Sequence, residues 1–332
     1  MLTYIARRLL LAAFTVWIIT MLTFVIIQLP AGDSADRTIA QLMERGVRYN
    51  PDLVEAIREY LGLGKPMYER YGMWMWNLMH GDLGISIIDW DHQQAVKRVI
   101  GDRLWLTVAL TGFTILVTWT FAIPVGIYSA VRQHSVGDYA FTFLGFTGLA
   151  VPDFLLGLVL MYVAYAYFDQ SVGGLFSADY INRSWSLGKS IDLLNHLWIP
   201  ALVLGTSGTA SLIRIMRNNL LDELAKPYVV TARAKGVSPA RLIIKYPVRV
   251  AINPLVSTVG YLLPSLVSGS VIVSVVLSLP TLGPVLLLAI MQEDTQLAGF
   301  IILMLGILTV IGTLISDILL AVVDPRIKLT NR

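Results

Sequence analysis

The sequence predicts an all-α membrane protein with six transmembrane helices, and three observations carry that class. Only 14% of the 332 residues are charged and 56% are hydrophobic, whereas soluble domains carry about 25% charged residues. Mean hydropathy is +0.69. Long uncharged apolar runs also recur along the chain, several near the roughly 20 residues a helix needs to cross a bilayer. Cysteine is absent, which excludes disulfides, thiolate metal sites and cysteine nucleophiles. Four histidines are scattered, so no metal or other cofactor is expected on this chain.

The spans follow in order. Span one is Leu9 to Leu29 behind Arg7 and Arg8; its uncharged run exceeds a signal-peptide core of about 7–15 residues, so it reads as a retained anchor. Span two is Leu104 to Val131, with Pro124 as a kink. Span three is Tyr139 to Phe168 and carries one acid, Asp153. Span four, Leu197 to Ile213, is short, rich in Gly, Ser and Thr, and broken by Pro200. No charged residue occurs from Val250 to Gln292. That run is too long for one span, so Pro280 and Gly283-Pro284 divide it into span five, Pro254–Leu279, and a half-length element, Pro284–Met291. Half-length elements at membrane depth persist only when buried in protein or lining a cavity. Span six, Leu297 to Val323, carries Asp317, for which Arg326 is the expected partner.

Orientation follows from Lys and Arg. With both termini in the cytoplasm, 14 of the 25 basic residues lie inside, eight of them between Arg214 and Arg249, directly beside two spans. The chain then divides into residues 1–30 (N-terminal segment and span one), 31–103 (a small external subdomain) and 104–332 (a five-span core). In the subdomain, Asn50-Pro51 reads as N-cap and first position of a helix. A second helix after Lys65-Pro66 holds Tyr68, Tyr71, Trp74, Met75, Leu78 and Met79, with Trp76 beside them. Packing or anchoring at the headgroup level is the plain reading of its tryptophans, ahead of ligand stacking.

The most basic internal segment contains Tyr228-Val-Val-Thr-Ala-Arg-Ala-Lys-Gly236. Pro227 suits the first turn of a short helix and Gly236 its C′ position, while Ser238-Pro239 starts another helix. Tyr228, Ala232 and Gly236 recur every four residues and are expected on one face. A face so small lets another protein approach the backbone, with Arg233 and Lys235 beside it. The plainer alternative is a positive-inside loop gripping anionic lipid headgroups.

Five motifs in order extend this reading: Leu61-Gly-Leu-Gly-Lys-Pro66, Gly81-Asp-Leu-Gly-Ile-Ser86, Val151-Pro-Asp-Phe-Leu-Leu-Gly157, Thr231-Ala-Arg-Ala-Lys-Gly236 and Asp324-Pro-Arg-Ile-Lys328. With them, nearly the whole chain resembles the membrane permease subunits of the peptide/oligopeptide/nickel branch of ATP-binding-cassette importers, of the dipeptide and oligopeptide B type. The resemblance implies that the 227–236 helix is a coupling helix seated in a groove of an ATPase subunit, through Tyr228, Thr231, Ala232, Arg233, Ala234, Lys235 and Gly236. It also implies a second permease subunit, two ATPase subunits that bind ATP and magnesium, and an external substrate-binding protein. Nucleic acid has no place among these partners. Departures occur at Tyr246-Pro247, where the family often has His-Ala, at Ser274-Val275, where an acid is often found, and after Pro280, where Thr-Leu-Gly replaces Gly-Leu-Gly. They bear on substrate specificity.

The chain contains no G-x-x-x-x-G-K-[ST], G-x-S-x-G or H-E-x-x-H motif. Phosphates need a backbone cradle with a lysine, so a non-catalytic subunit is expected. Asp153, about 14 residues into span three and thus about 20 Å deep, is a candidate for the translocation path, because intramembrane acids tend to face a cavity. A structural hydrogen bond at the Pro152 kink is its competing role. The 280–292 element, with Pro280, Gly283 and Pro284, is a candidate external gate. Gly205, Gly208, Pro254 and Pro264 supply either bends or close helix packing. Within the same branch, oligosaccharides, opines or nickel complexes are alternative cargoes. A different class, the ion-gradient-driven secondary transporter, calls for intramembrane ionisable relays, of which the spans hold only Asp153 and Asp317. A receptor would need a cytoplasmic signalling domain, and none is recognisable.

Overall fold

The computed structural model describes residues 2–28, 39, 40, 43, 50–60, 62–84, 86, 96–168, 173–259, 262 and 271–323. Among these residues the regular structure is helical. The helices are α1 (Leu2–Gln28), α2 (Pro51–Tyr60), α3 (Met67–Met79), α4 (Val96–Val131), α5 (Val136–Ala150), α6 (Asp153–Phe168), α7 (Leu187–Leu224), α8 (Pro227–Ala234), α9 (Pro239–Lys245), α10 (Pro247–Ala251), α11 (Asn253–Val259), α12 (Val271–Val276), α13 (Leu282–Met291) and α14 (Thr295–Val323). Four of them (α1, α4, α7 and α14) are long and apolar enough to cross a membrane. The number rises to as many as six if each of two bent pairs is one span.

One bent pair corrects the third span. Tyr139–Phe168 is not continuous: α5 and α6 meet at 104° across Val151-Pro152. Proline disfavours helical geometry in the residue before it, and Val151 is extended at φ −83°, ψ 126°. The fourth span is corrected in the other direction, because the helix runs for 38 residues rather than from Leu197 to Ile213. Ser186 starts it as N-cap, its hydroxyl accepting from Lys189 N at 3.2 Å. The polar residues that depress hydropathy there are satisfied within the protein. Lys189 Nζ donates to the carbonyls of Arg183 (2.6 Å) and Ile181 (3.3 Å), and the Asp192 carboxylate accepts from Ser177 N and Oγ, both at 2.9 Å. Pro200 lies buried inside the helix without ending it. Part of the fifth span, with Pro264, and the Asp324–Lys328 motif lie outside the described residues.

The chain divides into two compact units. One comprises Met1–Ala12, Leu106–Thr281 and Leu308–Arg332; the other comprises Ala13–Trp105 and Leu282–Ile307. In the first unit, α4 and α7 approach closely. A Cβ added to Gly205 would lie 2.8 Å from Thr118 Oγ1, and one on Gly126 would lie 2.6 Å from Met216 Cβ. Gly205 therefore serves close packing rather than bending. Thr107, Thr111, Thr114 and Thr118 form a buried stripe on α4, and Thr114 returns its hydroxyl to Leu110 O at 2.8 Å. A second core joins Leu212, Met216 and Leu220 of α7 to Ala122, Ala130, Ala251 and Leu255.

The second unit contains α2, α3 and α13. Asn50 Oδ1 accepts from Asp52 N at 3.0 Å, which places the N-cap where the sequence puts it. Trp74 packs with the rings of Phe24, Tyr71 and Phe300 at 5.7–6.3 Å. Its role is packing, whereas Trp76 stays exposed.

Candidate functional site

Helix α8 is built as the sequence predicts. Lys226 is extended, Pro227 opens the first turn, and the helix closes at Lys235. Gly236 follows at φ 75°, a left-handed conformation natural to glycine. Its N–H donates to Arg233 O at 3.0 Å, and Val237 N donates to Ala232 O at 3.4 Å. Inside this bracket, Val229 (0% exposed) and Ala232 (8%) pack on Leu242 (3%) of α9, with Val237, Ile243 and Tyr246 around them. Burying a side chain such as Val229 is worth about 1.5–3 kcal/mol, which is what holds so short a helix in place.

That packing alters the predicted face. Tyr228 and Gly236 are exposed, but Ala232 between them turns inward. The outward surface consists of Val230, Thr231, Arg233, Ala234 and Lys235. Tyr228 is braced, its hydroxyl donating to Glu223 Oε2 at 2.6 Å, and Thr231 Oγ1 donates to Pro227 O at 3.0 Å. Further on, α10 and α11 bring Ala251 and Leu255 against Leu220 and Met216 of α7. A displacement of α8 and α9 thus has a packed route to two long helices, α7 and α4.

Asp153 does not lie midway along a continuous span. It occupies the first turn of α6, directly after the 104° bend, and is half-buried. A carboxylate at that position complements the unsatisfied N–H groups of the helix start. Asp317 pairs with a base, as the sequence suggests: Arg8 of α1 meets it at 2.9 Å, and Arg326 lies outside the described residues.

Pro280, Gly283 and Pro284 surround the start of α13. Before it, Ser278 takes a positive φ of 52°, Leu279 N donates to Ser274 O at 2.7 Å, and Thr281 Oγ1 donates to Ser274 Oγ at 3.2 Å. Ten residues of α-helix rise about 15 Å, half a bilayer core of about 30 Å. Helix α13 packs through Leu282, Val285 and Ala289 on Val96, Ile100, Leu297 and Phe300. Beyond it, Asp294 accepts from Ser86 Oγ (2.8 Å) and caps α14 through Leu297 N (3.0 Å).

Sequence reasoning missed the pair that joins α5 to α7. Arg217 donates in bidentate fashion to Asp138, Nε to Oδ1 and NH2 to Oδ2, each at 3.0 Å. Asp138 also accepts from His134 N at 3.0 Å and is 2% exposed. Opposite charges 79 positions apart carry no local signal. Only the uncommon acid two residues into an apolar helix pointed to this position.

Residues 122–329 match the family model described as "Binding-protein-dependent transport system inner membrane component", and residues 1–111 match the corresponding N-terminal model. The chain is 34% identical over 328 residues to the oligopeptide transport system permease protein AppB of Bacillus subtilis (strain 168), covering 99% of this chain and 100% of that protein. It is 30% identical over 344 residues to the dipeptide transport system permease protein DppB of Escherichia coli (strain K12), covering 99% of each. Among solved structures, an inward-facing MetNI methionine ABC transporter superposes with a TM-score of 0.52 at 17% identity, covering 68% of this chain and 96% of that one. At that identity the likeness concerns the fold, which is that of an ABC importer permease.

Proposed function

Because the chain belongs to the family of binding-protein-dependent transport system inner membrane components, we propose that this multi-pass inner-membrane protein is a permease subunit that forms half of the path of an ATP-driven peptide importer. Full-length similarity to oligopeptide and dipeptide permeases supports peptides over oligosaccharides, opines or nickel complexes as cargo. In this reading six spans cross the membrane, α5–α6 counting as one of them, and both termini lie in the cytoplasm. A second permease subunit completes the path, an external binding protein delivers the solute, and two ATPase subunits bind ATP and magnesium. Chemistry is absent from this chain itself, whose sequence lacks a phosphate-binding loop.

The observation that carries the mechanism is α8, a short basic helix anchored from beneath and open above. Closure of the ATPases pulls on its outward residues, namely Tyr228, Thr231, Arg233, Ala234, Lys235 and the exposed turn at Gly236, while Ala232 serves the anchor. Leu242, Ala251 and Leu255 hand that motion to α7. Asp153, at the bend between α5 and α6, belongs to the path, and the α13 element, with Pro280, Gly283 and Pro284 at its start, forms the external gate. A cysteine placed at Ala234 is expected to crosslink to an ATPase subunit in the assembled complex. Absence of any ATPase contact along α8 in that complex contradicts the coupling role.

A further inference from the structure

We propose that the groove between α5 and α7 binds one anionic phospholipid, its phosphate on Arg214 and an acyl chain along the neighbouring apolar lane. The groove starts at the turn that joins α4 to α5. There, about 430 Å³ of open space is lined by His134, Tyr139, Thr142, Arg214 and Asn218 together with apolar side chains. It runs on, through the shared residues Phe141, Gly145, Ala210 and Ile213, into a further 260 Å³ bounded by Val117, Phe121, Leu144 and Leu202. Polar groups thus gather where one candidate span ends and the next begins, and apolar groups occupy the stretch beyond. That gradient is the shape of a phospholipid standing in its leaflet.

Arg214 supplies the charge. It lies one helical turn from Arg217, but Arg217 is neutralised by Asp138, and among the described residues Arg214 has no carboxylate partner. Its guanidinium is exposed and rests over the Phe146 ring at 5.6 Å. A basic side chain directly beside a span faces the headgroup region, where anionic lipids attract it, and a guanidinium matches phosphate in bidentate fashion. A peptide in the same groove would need partners for its backbone along the whole length. Instead the lane offers Val117, Phe121 and Leu144, and the Thr206 hydroxyl is already donated to Leu202 O. A lipid chain makes no such demand.

The test uses the full-length chain extracted in mild detergent, washed free of loose lipid and supplied with equal amounts of phosphatidylglycerol and phosphatidylcholine. Native mass spectrometry then counts what each protein retains. The wild-type chain is expected to hold phosphatidylglycerol in preference to phosphatidylcholine. Arg214→Gln should reduce that preference about tenfold, the scale of one charge-assisted pair, and Arg214→Lys should restore much of it. Leu144→Trp, which obstructs the lane and leaves the charge in place, should lower retention of both lipids. A photo-crosslinking residue at position 142 should label lipid. Equal retention of the two lipids by the wild-type chain, or an unchanged preference in Arg214→Gln, overturns the proposal. So does a label at position 142 that falls on a second polypeptide or on a peptide cargo in place of lipid. Lipid retention is read without ATP or cargo, and a label on a peptide would overturn the lipid site while favouring peptide transport, so the two proposals fail or stand separately.

Discussion

Asp138 shows how far one side chain can organise this fold. Its carboxylate binds Arg217 at both oxygens and caps the turn at His134, fixing the start of α5 to α7. Removing one partner of a buried pair leaves an uncompensated charge, whereas removing both does not. Arg217→Met is therefore expected to destabilise the purified protein by about 3 kcal/mol, read as a lowered Tm. The double variant Asp138→Leu/Arg217→Met should recover part of that loss; a double variant less stable than the single one contradicts the pair's role. Asp153 is a different case, since a carboxylate in the first turn of α6 fits both a helix start and a path-facing group. Asp153→Asn should lower uptake while leaving the yield of assembled complex unchanged. Equal uptake would assign Asp153 to helix structure alone.

For single elements, legibility in the sequence depended on whether the deciding signal was local. The bracket of α8 is local: Pro227 and Gly236 act on their own turns, and both ends are where the sequence puts them. The same holds for Asn50 before α2 and nearly so for the half-length α13, which follows Pro280 and starts two residues ahead of Pro284. Hydropathy read α7 too short because Lys189 and Asp192 find partners in the preceding loop, and that pairing is tertiary. Pro152 was visible as a kink, but an apolar run on each side hid a turn of 104°. Ala232 faces inward because Leu242, ten residues on, folds back beneath it, which a four-residue periodicity does not register. The chain has no native cysteine, so single cysteines report exposure cleanly. Ala234→Cys should react readily with a water-soluble maleimide and Ala232→Cys should react slowly; similar rates would refute the inward packing of Ala232. Gly205→Val should impair folding or assembly, since even a Cβ there meets Thr118 Oγ1 at 2.8 Å. Normal yield and Tm in that variant would show that α4 and α7 do not need this close approach.

For the molecule as a whole, the family and the helical membrane class were legible because five motifs lie in order across the chain and composition alone demands a membrane. The cargo was less so, because Tyr246-Pro247 and Thr281-Leu-Gly283 depart from the family's habits without naming a substitute. The central claim is that ATP hydrolysed on other subunits moves a solute through this chain. The most direct measurement is uptake of a labelled dipeptide or short oligopeptide into proteoliposomes that hold the chain with the proposed permease and ATPase subunits, with the proposed binding protein on the substrate side. Uptake is expected to require ATP and to persist when ion gradients are collapsed. It should be lost when Arg233 and Lys235 on the open side of α8 are both replaced by Glu. Uptake by this chain alone, driven by an ion gradient without ATP, would contradict it.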